Sequence, residues 1–290
     1  MPVNTTDSKV VLTHPNGSSV EILLYGATII SWKAPSKLDA GPPAERLYTS
    51  AKAFLDGSKP VRGGIPVVFP FFGPVTRPEH AQLSQHGFAR NEVWKFDSVV
   101  LDSEAGVSVR LVFEPSAAVQ AKFAAPFKLS YVITLAAHQL TSHLHVDNPS
   151  ETNTFTFQAL LHTYIRANVA LSTVTPLKGL TYINKLKPGF PEEVEEREAV
   201  DVREPADYVY KSAPGEYEVS WGGGLAIEIK ASGFNDVVIW NPGKESGQKM
   251  SDLEDGGWDL FICVEPGAAS YWIDLPPGKS WDGQQVLTVI

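Results

Sequence analysis

The sequence predicts an all-β protein, a sandwich or barrel of many short strands, and three observations carry that prediction. Runs with a period of two recur at short intervals along the whole chain. The 23 glycines and 22 prolines punctuate them. No stretch sustains the 3.6-residue period of a long helix. Residues 20–32 (V-E-I-L-L-Y-G-A-T-I-I-S-W) read as one strand with a bulge at Gly26. Residues 106–113, 129–135 and 140–146 alternate cleanly. Residues 154–165, 225–229, 236–240 and 260–265 continue the series. Between them lie turn signals: Pro-Asn-Gly at 15–17, Asn-Pro at 148–149 and 241–242, and Pro-Pro-Gly at 276–278. Residues 116–125 allow one or two helical turns. The acidic stretch 188–202 reads as a solvated loop, too short to divide domains, so one domain over 1–290 is expected.

Composition narrows the function. With 43% hydrophobic and 20% charged residues the chain is globular and long enough to bury a large core. Its net charge of −9 disfavours nucleic acid and anionic membrane as partners. Cys263 is the single cysteine, which excludes an intrachain disulfide and a cysteine-rich zinc site. The start of the chain lacks the apolar core of a signal peptide, and no apolar run is long enough to span a bilayer. A cytoplasmic monomer is the expectation.

The segment from Val61 to Arg90 is the least like ordinary core. It reads V-R-G-G-I-P-V-V-F-P-F-F-G at 61–73 and Q-H-G-F-A-R at 85–90. Arg62 and Arg90 carry planar forks suited to phosphate or carboxylate. Gly63 and Gly64 would let backbone approach a ligand closely. Pro66 and Pro70 interrupt an apolar run, which predicts that Phe69, Phe71 and Phe72 wall a pocket. The rival reading is a pair of loop-end arginines in surface ion pairs.

Two more segments carry reactive side chains. In Q-A-L-L-H-T-Y at 158–164, strand geometry points Gln158, Leu160, His162 and Tyr164 to one face. In F-I-C-V-E-P-G at 261–267, Phe261, Cys263 and Glu265 share a face, with Glu265 placed at a strand end before a Pro-Gly turn. A carboxylate there is costly unless it is paired or lines a cleft. Hydrogen-bonded residues at a sheet edge are the plainer reading of both.

These segments, with L-L-H-T-Y, W-N-P and C-V-E-P-G in the same order, resemble the hexose-6-phosphate mutarotases, or glucose-6-phosphate 1-epimerases, a branch of the aldose-1-epimerase superfamily. The resemblance spans about Tyr25 to Leu287. It implies a large antiparallel β-sandwich of the galactose-mutarotase type. It also implies His162 and Glu265 as catalytic residues, Arg62 and Arg90 on the phosphate, and Gln85 on the substrate. The family aspartate of a T-D-R-V-Y-like segment falls on Asp207, in A-D-Y-V-Y, where Tyr208 replaces the arginine. His86 either orients the sugar or caps a loop, with substrate contact preferred, and Trp240 either lines the pocket or belongs to the core.

The implied reaction interconverts α and β anomers of a hexose 6-phosphate. Glu265 would take the proton of the anomeric hydroxyl and His162 would protonate the ring oxygen. Those roles need Glu265 ionised and His162 charged at rest, with neighbouring carboxylates holding the imidazolium. No cofactor or metal is needed. Two rivals stand beside this reading. One is a sugar-phosphate sensor without catalysis on the same fold. The other is a metal-dependent enzyme using His143 and His145, which share a strand face near His138. Cys263 reads as a buried, unreactive thiol rather than a nucleophile.

Overall fold

The computed structural model describes residues 2–37, 41–221 and 225–290. Its architecture is a β-sandwich with two short α-helices among the described residues, at Ala117–Lys122 and Gly243–Gly247. The first falls inside the helical turns expected at 116–125, with Ser116 capping it by accepting from the Val119 N–H.

Two eight-stranded antiparallel sheets make the body. In the first, Gln139–Asp147 pairs with Ser280–Val289 from Gln139↔Thr288 to Asp147↔Ser280, and the predicted strands at 106–113 and 129–135 follow beside it. The second runs through Thr181–Asn184, Ala206–Tyr210, Asp236–Asn241 and Phe261–Gly267 to the short Leu160–Leu161 and Val67–Val68. Residues from both sheets, among them Ile239, Ile262 and Val264 from one and Ile227, Ile229 and Leu287 from the other, belong to one core cluster.

Phe261–Gly267 is buried at all seven positions. Alternation sends Ile262 and Val264 into the core between the sheets. Phe261 and Cys263 turn the other way, into a second cluster with Tyr48, Tyr164, Leu253 and Trp258. Glu265 follows their parity. The strand continues through Pro266 and Gly267, which pair with Val237 and Asp236, so Glu265 sits inside the strand rather than at its end.

Other expectations are corrected. Residues 20–32 form a hairpin, Ser19–Leu23 against Ile29–Ala34, rather than one bulged strand. Gly26 makes its turn at a φ of 70°, and a Cβ there would meet the Arg90 carbonyl oxygen at 2.7 Å. Gly63 and Gly64 are needed for approach to protein backbone, not ligand: added Cβ atoms would lie 2.4 Å from the Tyr48 carbonyl oxygen and 2.0 Å from that of Ile29. Phe69 and Phe71 are core, and Phe72 alone of the three reaches a cavity. The acidic stretch at 188–202 is not wholly solvated, since it holds the edge strand Glu192–Val194 and buries Glu195 against Arg197 and Tyr210.

The run at 154–165 is divided into Phe155–Phe157, Leu160–Leu161 and Tyr164–Arg166. Its register is nevertheless continuous. Gln158, His162 and Tyr164 donate their amides to the carbonyls of Pro70, Pro66 and Gly64, in line with the Leu160↔Val68 pair. Pro66 and Pro70 have no N–H to return, which breaks the ladder without turning the side chains.

Candidate active site

The sheet register places the reactive pair. Leu160 pairs with Gly267 and Tyr164 with Cys263, so His162 stands directly across from Glu265. His162 Nδ1 lies 3.4 Å from Glu265 Oε1. Glu265 is 1% exposed and His162 7%. His162 stacks on Tyr164 at 4.8 Å between centroids and meets the edge of Trp240 at 5.8 Å. His162 Nδ1 and Glu265 Oε2 are buried without a hydrogen-bond partner. Buried polar atoms are seldom left so, and both of these residues line a cavity of about 210 Å³.

That cavity also collects Arg62, Phe72, Gln85, His86, Arg90, Lys185, Asp207 and Trp240. The residues that the resemblance implied, His162, Glu265, Arg62, Gln85, Arg90 and Asp207, are therefore in one place, with His86 among them. Arg62 is held by Asp252 at 3.2 Å from Nε and by the Tyr164 hydroxyl at 3.2 Å. Arg90 donates to the Gln85 carbonyl at 2.9 Å and has no carboxylate in ion-pair reach among the described residues. Burial lowers its pKa to about 10, with Arg62 adding to the effect. His86 is fixed by its backbone at a φ of 66° and accepts the Gly73 N–H on Nδ1. Its Nε2 is 3.3 Å from Gln85 Nε2.

The resting charges differ from those the reaction seemed to demand. Burial, then Arg90 and Arg62, pushes the His162 pKa well below its usual value. Burial, then the Asp207 charge, pushes Glu265 well above the usual carboxylate range. Beyond Glu265, the charges that bear on the imidazole are the cations Arg90, Arg62 and Lys185. The free site favours neutral histidine and protonated glutamate. Both shifts draw the two titrations together, and an acid/base pair works with one proton shared between its members.

The family model for aldose 1-epimerases matches residues 8–288. This chain belongs to the aldose 1-epimerase family. A "putative glucose-6-phosphate 1-epimerase" of Cenchrus ciliaris is 29% identical over 291 residues, 97% of this chain and 84% of the relative. A protein of the same description from Escherichia coli (strain K12) is 30% identical over 267 residues, 90% of this chain and 83% of its own. In fold the chain is similar to a crystal structure titled a "putative mutarotase" from Salmonella typhimurium, with a TM-score of 0.86 and 24% identity over 99% of this chain and 92% of that one. Aldose 1-epimerases act on the anomeric centre of sugars, and the chain is an isomerase of this class.

Sequence reasoning overlooked Lys185 and Asp252 and left Trp240 open. In this aldose 1-epimerase Trp240 lines the cavity. Lys185 brings a third cation, 3.4 Å from Asp207 and 4.7 Å above the Phe72 ring. Its sequence context, I-N-K-L-K, offers no signal; pairing of Ile183 with Val209 brings it beside Asp207. Among the described residues, the three ligand-type side chains that converge are His162, Cys263 and Glu265, not the His143 pair. His143 instead bonds Asp282 at 3.0 Å on the outer sheet face. Around His162 and Glu265, Arg62, Arg90 and Lys185 oppose a divalent cation. Cys263 is fully buried, and burial holds its thiol well above the usual pKa. No helix among the described residues is long and apolar enough to cross a membrane.

Proposed function

We propose that the protein interconverts the α and β anomers of hexose 6-phosphates, chiefly glucose 6-phosphate. The observation that carries this reading is Arg90, a guanidinium without a carboxylate partner in the cavity that holds the acid/base pair. A half-buried cation whose Nε is shielded from water and has no partner fits an anion supplied by the substrate. The relatives named glucose-6-phosphate 1-epimerases support the same substrate.

The sugar enters with its phosphate toward Arg62 and Arg90, and Asp207, Gln85 and His86 take its hydroxyls. The phosphate dianion offsets the two arginine charges that depress His162, which favours moving the single proton from Glu265 to the imidazole. Glu265 then accepts the anomeric hydroxyl proton while His162 delivers its proton to the ring oxygen. The ring C1–O5 bond breaks and C1 becomes an aldehyde. Rotation about C1–C2 presents the other face, O5 attacks C1, and the two transfers reverse. Atoms and charges balance within the substrate and the pair, so neither a redox partner nor an electron sink enters. Each positioned transfer is typically worth ~10²–10⁴-fold.

The test is NMR exchange between the two anomers of glucose 6-phosphate, with and without the protein. Faster exchange at catalytic protein concentration supports the proposal. Tight binding with unaltered exchange would instead establish a sensor.

A further inference from the structure

A second cavity, of about 420 Å³, lies farther along the same chain segment that carries His162, and Arg46 and Arg166 line it. We propose that it is a second anion site, built to hold a small phosphorylated molecule away from the catalytic pair.

The backbone makes the arginine pair. Leu47 bridges Ile165, Tyr48 donates to Tyr164, and Arg166 donates to Arg46, so the two arginines are directly opposed across an antiparallel pair. Like charges in that position destabilise a sheet unless something neutralises them. Neither arginine has a carboxylate in ion-pair reach among the described residues. Arg46 is 9% exposed and spends one donor, Nε, on the Ala34 carbonyl at 2.9 Å. Its terminal nitrogens make no hydrogen bond among the described residues. Arg166 uses its Nε on the Leu47 carbonyl at 3.3 Å and lies over the Tyr48 ring.

The carboxylates nearby do not replace a ligand. Glu45 lines the cavity and its charge bears on Arg46, but it stays outside ion-pair reach because its oxygens accept from the Trp32 and Leu47 amides and the Ser31 hydroxyl. Asp259 is exposed at the rim. Two guanidiniums with open donors suit the several acceptor oxygens of a phosphate. The volume exceeds what an inorganic ion needs and is in the range of small-molecule pockets. Trp221 gives the organic part an apolar wall, and the Asn168 amide can reach its hydroxyls. The Tyr48, Tyr164 and Phe261 cluster stands between this cavity and His162, so the two sites fill separately.

Isothermal titration with inorganic phosphate at low ionic strength tests the proposal. The unsubstituted protein should take up two phosphates, one in each cavity. Arg46→Gln/Arg166→Gln should lose one and Arg62→Gln/Arg90→Gln the other. Should the Arg46 change unfold the chain, Arg166→Gln alone, at an exposed residue, should weaken the second site by about 10-fold or more, as loss of a charge-assisted hydrogen bond does. An isotherm unchanged by these substitutions overturns the second site. An isotherm unchanged by Arg62→Gln/Arg90→Gln speaks only against the phosphate role of the catalytic cavity. In the Arg62→Gln/Arg90→Gln background, Trp221→Ala should weaken glucose 6-phosphate several-fold and leave inorganic phosphate alone; equal effects on both would remove the organic half of the proposal.

Discussion

The cavity around His162 and Glu265 has two kinds of wall. His162, Tyr164 and Glu265 stand on paired strands, and the register alone sets them opposite one another. Arg62, Gln85 and His86 stand on irregular backbone and Arg90 in a single 3-10 turn, Ala89–Asn91, held by left-handed turns at Gly63, Gly64 and His86 and by the close approach of Gly26 to Arg90. The strand wall holds the proposed acid/base pair at a fixed separation. The loop wall holds charge, and its arginines add to burial in lowering the pKa of His162. Proton transfer needs positions good to a fraction of an ångström, which strands deliver. Phosphate recognition is longer-ranged and tolerates loops.

Breaking the strand wall should cost most. Glu265→Gln preserves shape and removes the proton acceptor, so anomer exchange should fall to the level without enzyme while glucose 6-phosphate still binds. Near-normal exchange in a folded variant would take Glu265 out of the reaction. His162→Asn should slow exchange at least ~10²-fold, the low end for general acid catalysis. A smaller loss, with the pocket intact, would mean that water or His86 serves as the proton donor.

The loop wall should show itself as selectivity. A hydrogen bond to a charged group is worth roughly 1.5–3 kcal/mol, so Arg90→Ala should lower kcat/KM for glucose 6-phosphate by roughly 10- to 150-fold. Activity on free glucose, lower from the start, should barely move. Arg62→Ala is the less clean probe, because it also strands Asp252 and the Tyr164 hydroxyl. Parallel losses on both sugars after Arg90→Ala would make that arginine structural.

The smallest effect tests the link between the walls. Exchange requires one proton on the pair. It fails at low pH as neutral His162 gains a second proton and at high pH as Glu265 loses the only one. Depression of His162 places the acid limb below pH 6.5, and elevation of Glu265 places the alkaline limb above pH 4.5. Arg90 lowers both pKa values. Arg90→Gln should therefore raise both and move the whole profile to higher pH. Read as kcat/KM, the profile reports free enzyme and free substrate, so the phosphate's own ionisation at about pH 6 is common to both proteins. An unmoved profile would mean that the arginine charge does not reach the pair.

The sequence by itself determined the all-β class, the face shared by His162 and Tyr164, and the face shared by Cys263 and Glu265, because period-two alternation is local. Motif order was enough to gather Arg62, Gln85, His86, Arg90 and Asp207 as candidates through a family resemblance. Local pattern failed where backbone neighbours decide. The Gly26 hairpin read as one strand, and Gly63 and Gly64 read as ligand-facing although Thr49 and Ile29 crowd them. Glu195 read as solvated although Arg197 and Tyr210 bury it. Only the tertiary structure decided that His162 faces Glu265, that Lys185 joins the arginines, and that burial with nearby charge lowers the pKa of His162 and raises that of Glu265. Register, desolvation and Coulomb interaction depend on distances between residues far apart in the chain, and no local spacing encodes those distances.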